Sequence, residues 1–267
     1  MAEYKGDLKI EGSIGDFSIV KRKDLDKYYV RKKGGPSKKQ IAQLPSMKGT
    51  REINAEFGGC SKAGTAIRMA TNAVRHLSDY NISAPLNAIA KVIQTTDRKG
   101  ARGQRAIDIS TNKDMLPGFS FNRRRLTDSV LRTPVVANID RPKKTAEVTI
   151  PRIIPDVNLK QYGNNTMFRF IVSLGVVSDL QYNLKHKTYE PIHDQLHSQC
   201  FYNSTPWYSI KSSIDQQTIP IAIESIEDLL ETDTLIVAFG IEFGNPISDS
   251  LVIPTDHTGC AKIIATN

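Results

Sequence analysis

Two stretches of this sequence constrain its fold more than anything else in it. Phe168, Phe170, Val172 and Leu174 alternate with Arg169, Ile171 and Ser173, and Leu235, Val237, Phe239, Ile241 and Phe243 alternate with Ile236, Ala238, Gly240 and Glu242. A period of two belongs to a β-strand, whose successive side chains point to opposite faces. In the second stretch the intervening residues are themselves mostly apolar, so both faces need cover. A central strand with a layer on each side is expected. Further β-like runs over 148–154, 219–223, 251–253 and 262–265 are separated by turn chemistry such as Gly163-Asn164-Asn165, Ser204-Thr205-Pro206, Asn245-Pro246 and Pro254-Thr255-Asp256. Short strands at this spacing predict an antiparallel sandwich from about Thr145 onward.

The first half reads differently. Runs over 8–12 and 17–21 flank Gly12-Ser13-Ile14-Gly15-Asp16, and a β-rich set follows over 28–32, which predicts a small hairpin or meander. Beyond Gly34-Gly35-Pro36, Ser61 is a candidate N-cap for a helix whose Ala63, Ile67, Ala70, Val74 and Leu77 recur at intervals of four and three. A second helix is expected from Ser83, with Pro85 in its first turn and Leu86, Ile89, Ala90 and Ile93 on one face. The expected fold is therefore α+β, mainly β. A basic α/β region over 1–144, with a β-hairpin and two short amphipathic helices, precedes an antiparallel β-sandwich domain over 145–267. For a chain of 29.7 kDa, roughly 70–75% of the unfolded surface is expected to be buried, enough for one large core or two moderate ones.

Charge is distributed unevenly. Residues 1–150 hold 29 Lys plus Arg against 15 Asp plus Glu, a net of +14, while residues 151–267 hold 7 against 13, a net of −6. Two physical readings follow and stay open: a basic surface for an anionic partner, or a chain complementary to a second copy of itself placed head to tail. The cations come in four bunches, at 31–39, 98–105, 123–125 and 141–144, three of them containing Gly or Pro. Such loops let long cationic side chains fan out toward phosphates. Tyr28 and Tyr29, just before the first bunch, are candidates for stacking on bases or for strand core.

Candidate chemistry is sparse. His193, His197 and Cys200 would converge on one helical face and hold a metal if 193–200 were helical, but Pro191 and the flanking aromatics point to an irregular connection. Gly58-Gly59-Cys60-Ser61-Lys62-Ala63-Gly64-Thr65 invites a phosphate-cradle reading, yet lacks the Gly-Lys-Ser/Thr ending of a P-loop; a tight turn before a capped helix explains the same residues. Cys60 at such a helix start would be a nucleophile only with a base beside it. Cys60, Cys200 and Cys260 are odd in number and widely spaced, which fits reduced thiols. The longest apolar run, over 168–177, is far short of the ~20 residues of a membrane helix.

The order Gly34-Gly35-Pro36-Ser37-Lys38-Lys39-Gln40, Glu56-Phe57-Gly58-Gly59-Cys60, Leu116-Pro117-Gly118-Phe119, then Val148-Thr149-Ile150-Pro151 and Met167-Phe168-Arg169, resembles a group of uncharacterised Bacteroidota proteins. That resemblance implies an immunoglobulin-like β-sandwich after a smaller basic region; it implies no activity and supplies no functional residues. With no catalytic signature, the expected function is that of a non-enzymatic structural protein, without cofactors, that self-assembles as a homo-oligomer into a tube, filament, shell or phage-like particle. Contacts are expected from Arg31, Lys32, Lys33, Lys38, Lys39, Arg98, Lys99, Arg102, Arg105, Arg123, Arg124 and Arg125, against an acidic face of Glu224, Glu227, Asp228, Glu231 and Asp233. One alternative is a protein that binds nucleic acid non-specifically through the same basic loops. Another is a metal-dependent enzyme at His193, His197 and Cys200. The N-terminal Met1 to Asp7 lacks an apolar signal segment, so a cytoplasmic location without membrane insertion, or a place in a virion-like particle, is expected.

Overall fold

A computed structural model describes residues 2–4, 11–22, 27–161, 163–248 and 251–267. The chain divides into two compact units, Met1–Arg51 and Glu52–Asn267. Each builds its own antiparallel β-structure, and the molecule is α+β and mainly β.

The N-terminal unit contains β1 (Ala2–Tyr4), β2 (Gly12–Ile14), β3 (Phe17–Arg22) and β4 (Lys27–Lys32), in the order β1-β4-β3-β2, followed by α1 (Lys38–Gln43). The strand expected over 8–12 lies mostly outside the described residues. Gly15 and Asp16 form the β2–β3 turn; the Asp16 carbonyl accepts from the Lys33 backbone N–H at 2.6 Å, and the Gly15 carbonyl accepts from Lys33 Nζ at 2.9 Å. Ser37 caps α1 through a reciprocal pair of hydrogen bonds with Gln40. Among the described side chains of this unit none is fully buried.

The C-terminal unit has three layers. Its middle layer is a six-stranded sheet centred on β7 and β13, described below. The helices are α2 (Lys48–Ala70), whose first turn contains the division between units, α3 (Asn72–Arg75), α4 (Ser83–Thr96) and α5 (Thr127–Val130). The strands are β5 (Val136–Asp140), β6 (Thr145–Ile150), β7 (Met167–Ser178), β8 (Leu180–Asn183), β9 (Thr188–Pro191), β10 (Cys200–Ser204), β11 (Tyr208–Ser209), β12 (Gln217–Ala222), β13 (Asp233–Ser248), β14 (Leu251–Pro254) and β15 (Cys260–Thr266). β13 pairs with β7 along one side and with β15 and then β14 along the other; β10 and β11 extend the sheet beyond β7. A three-stranded sheet, β12-β6-β5, covers one face. Residues 144 and 145 fall where the β5–β6 hairpin turns.

The alternation seen in the sequence assigns the faces. Leu235, Val237, Phe239, Ile241 and Phe243, with Phe168, Phe170, Val172 and Leu174, form a core with Ala146, Val148 and Ile150 of the small sheet. Ile236, Ala238, Ile171 and Val177 point the other way, into a second core with Ala63, Ile67, Ala70, Val74, Leu86, Ala90 and Ile93 of the helices. β13 is thus covered on both faces, as its two apolar registers require. Close approach of the helical layer depends on Gly175: a Cβ there would run into the Ala70 carbonyl.

One local expectation is corrected. No turn occurs over 56–60 and Ser61 is not an N-cap, because α2 runs unbroken from Lys48 to Ala70. Gly58 and Gly59, in mid-helix, are unfavourable by about 1 kcal/mol each. Gly59 is required by packing, since the Tyr189 ring of β9 lies 2.7 Å from where its Cβ would be. The stripe from Ala63 to Leu77 is real but passes over a break at Thr71, whose Oγ1 donates to the Ile67 carbonyl at 2.9 Å. The second helix begins at Ser83 as expected, with Ile82 in the capping position.

Sheet edges are managed differently on the two sides. β15 is sealed by residues 118–122: the Gly118 and Phe121 N–H groups donate to the Ile263 and Ala261 carbonyls at 2.8 and 2.9 Å. β10 faces β12 across an open groove of about 500 Å³, bridged by Asn203 Nδ2 donating to the Pro220 carbonyl at 2.8 Å. Pro220 withholds one N–H from that edge, a recurrent guard against strand addition.

Candidate functional site

The basic residues fall into two groups. In the N-terminal unit Arg31 and Lys32 end β4 and Lys38 and Lys39 open α1, all exposed. This unit holds 13 Lys plus Arg against 6 Asp plus Glu, a net of +7, which leaves +1 for the remainder. The cations of the C-terminal unit are partly engaged in structure. Asp97 organises the 98–105 loop by accepting from the Lys99, Gly100 and Ala106 N–H groups at 2.8 to 2.9 Å. Within it Arg102 lies 3.6 Å from Glu52 and Arg105 3.5 Å from Glu56, while Arg98 and Lys99 are exposed. Arg123 stacks over Tyr80 at 4.3 Å, its backbone N–H and that of Arg124 donate to Asp79, and Arg125 donates to the His257 carbonyl. Lys144 reaches the Glu227 carbonyl at 2.6 Å and Asp228 at 3.2 Å.

On the acidic segment Glu224, Glu227, Asp228 and Glu231 are exposed, beside Ile226 at 96% exposure and Leu230 at 45%. Asp233 is not on that surface. It is 1% exposed, and its Oδ2 lies 2.6 Å from His193 Nδ1.

Residues 194–198 form successive turns rather than a helix, so the spacing of His193, His197 and Cys200 does not converge on a metal. His193 is taken by Asp233; His197 Nδ1 accepts from the Ser178 N–H at 3.2 Å, and burial pushes its imidazole below the ordinary value. Burial pushes the Cys200 thiol up. Among the described residues no group of three His, Cys, Asp or Glu side chains is placed to hold a metal ion.

Two charge clusters escape a reading of the sequence. In the first, Glu56 of α2 is buried and accepts from Lys91 Nζ at 2.7 Å and the Gly103 N–H at 2.9 Å. Burial pushes its carboxyl up, but the bonds from Lys91 and Gly103 and the charges of Lys91 and Arg105 outweigh it and hold Glu56 below the ordinary value. Gln94 joins this cluster to Tyr189 and Cys60. Burial raises the Cys60 thiol to about 11, the reverse of nucleophile activation. The apparent glycine-rich cradle is thus the packed middle of a helix.

The second cluster sits on the helical face of the central sheet. Glu242 of β13 is buried; its two oxygens lie 2.6 Å from Arg169 Nε and 2.7 Å from His76 Nε2. Burial raises this carboxyl, and the two hydrogen bonds reverse that and hold it low. The Arg169 guanidinium packs 4.8 Å from the centroid of Trp207. A lone acid inside an apolar alternation, opposite a lone base in its partner strand, was the available signal.

Comparison with protein-family models, with curated proteins and with solved structures finds no match. Among the described residues no helix is long and apolar enough to cross a membrane.

Proposed function

We propose that the protein is a non-enzymatic structural component that self-associates, the N-terminal unit of one copy docking on the acidic 224–231 segment of the next. The observation that carries this reading is the N-terminal sheet itself: no described side chain in it is fully buried, and Ile14 and Phe17, paired across β2 and β3 on one face, are 62% and 53% exposed. Small sheets are stable when an apolar face packs on something. The acidic segment offers matching chemistry, exposed Ile226 and Leu230 flanked by Glu224, Glu227 and Glu231, opposite in sign to a unit of net +7. Apolar contact would supply affinity and the charges would set partner and register. Because the two surfaces differ, the contact is heterologous and propagates into rings or filaments. The immunoglobulin-like build belongs to the same proposal, supported by two antiparallel sheets over a shared core.

Light scattering on nuclease-treated full-length protein tests this. The expected mass is a multiple of 29.7 kDa at low salt. Phe17→Ser and the pair Glu227→Lys with Glu231→Lys should each lower it to the monomer. A monomer at all concentrations up to about 100 µM, where even weak specific contacts register, would overturn the reading. If the untreated protein instead carries bound nucleic acid, released by salt, the same basic unit acts on phosphates.

A further inference from the structure

We propose that the cavity beside Arg169 and His76 is a binding site for a small oxyanion, the phosphate or carboxylate group of a compact ligand. It stands independently of self-association. Beyond α3 the helical layer stops and leaves a cavity of about 320 Å³ on the sheet, lined by Ala73 and His76, by Arg169 and Ile171 of β7, and by Tyr202 and Ser204 of β10.

Glu242 at its base is the organising group. It uses one nitrogen of Arg169 and one of His76, Nε and Nε2, on separate oxygens, and so fixes both side chains. Trp207 packs on the guanidinium and fixes its plane. The carboxylate takes only Nε of the guanidinium, so the two Nη groups of Arg169 are left as donors on the cavity side. Among the described residues the two Nη groups of Arg169 make no hydrogen bond within the protein, nor do the hydroxyls of Ser204 and Tyr202. A guanidinium anchored through Nε presents its two Nη groups as a fork that matches two oxygens of a carboxylate or phosphate. The hydroxyls add donors, while Ala73 and Ile171 supply an apolar wall that suits a short carbon skeleton.

The chain carries a single tryptophan, and it is the one against Arg169, so the site has its own reporter. Emission of Trp207 should be followed while inorganic phosphate, and separately acetate, replaces chloride at constant ionic strength. The expected result is a saturable change with half-saturation in the millimolar range or below. Ser204→Ala and Tyr202→Phe, which leave the buried cluster intact, should weaken it several-fold, and Arg169→Lys, which keeps the charge but loses the fork, at least tenfold. Saturation by phosphate alone identifies a phosphoryl ligand, and saturation by acetate as well a carboxylate. No saturable response, or one unchanged in the folded Ser204→Ala, Tyr202→Phe and Arg169→Lys proteins, overturns the proposal.

Discussion

The N-terminal sheet and the sheet built on β7 and β13 are made by the same antiparallel pairing, yet β13 buries twelve successive residues while β2, β3 and β4 bury no described side chain. Pairing satisfies the backbone; it does not by itself remove apolar surface from water. What separates the two sheets is the presence of a second layer. Helices lie on one face of the central sheet and β12-β6-β5 on the other, whereas Ile14, Phe17 and Val20 remain exposed. Stability should therefore reside in the C-terminal unit, and the N-terminal unit is where contact with another molecule would gain most.

That contrast can be broken most directly at the central sheet. Phe239→Ala removes a fully buried ring stacked on Phe170 and should cost about 3–5 kcal/mol in urea unfolding. Gly175→Val should be at least as damaging, because its side chain meets helix backbone that cannot yield. Either variant unfolding at the wild-type midpoint would mean that the core lies elsewhere.

A middle effect is expected where the helical layer is tied together by charge. Glu56→Ala should cost about 1.5–3 kcal/mol at neutral pH, since it strips partners from Lys91 and the buried Gly103 N–H. The folded value of this carboxyl is depressed, so its contribution is complete above the ordinary glutamate range and is lost as pH falls through the lower folded value. The stability difference between wild type and Glu56→Gln should accordingly shrink below about pH 4. A difference that grows toward pH 3 would reverse the assigned sign.

The smallest effect on folding should come from Phe17→Ser, with the unfolding free energy of the C-terminal unit unchanged within about 0.5 kcal/mol. Amide exchange sharpens the comparison: amides of β3 and β4 in monomeric protein should exchange far faster than those of β7 and β13. Equal protection in the two sheets would show that the N-terminal one is covered.

Much of this architecture is legible along the chain, and the reasons differ by element. β7 and β13 announce themselves because a period of two with both registers apolar has few other solutions. The α4 face is equally plain, with Leu86, Ala90 and Ile93 buried as their spacing requires. α2 is misread as a turn because Gly58-Gly59 carries low helix propensity, and only the Tyr189 ring, 130 residues away from Gly59 in sequence, explains the glycine. Asp233 looks like one more member of an acidic run until His193 is found against it.

The sequence by itself determined the strand periods, the sides of the central strand, the helical stripe and the concentration of positive charge toward the N-terminus, because each is a property of neighbouring residues. Only the tertiary structure decided which layer covers which face, which charges are buried, and that Glu242 would gather Arg169 and His76 at one cavity. His76 and Glu242 are 166 residues apart in sequence, and a buried carboxylate finds its partners through folding rather than through spacing.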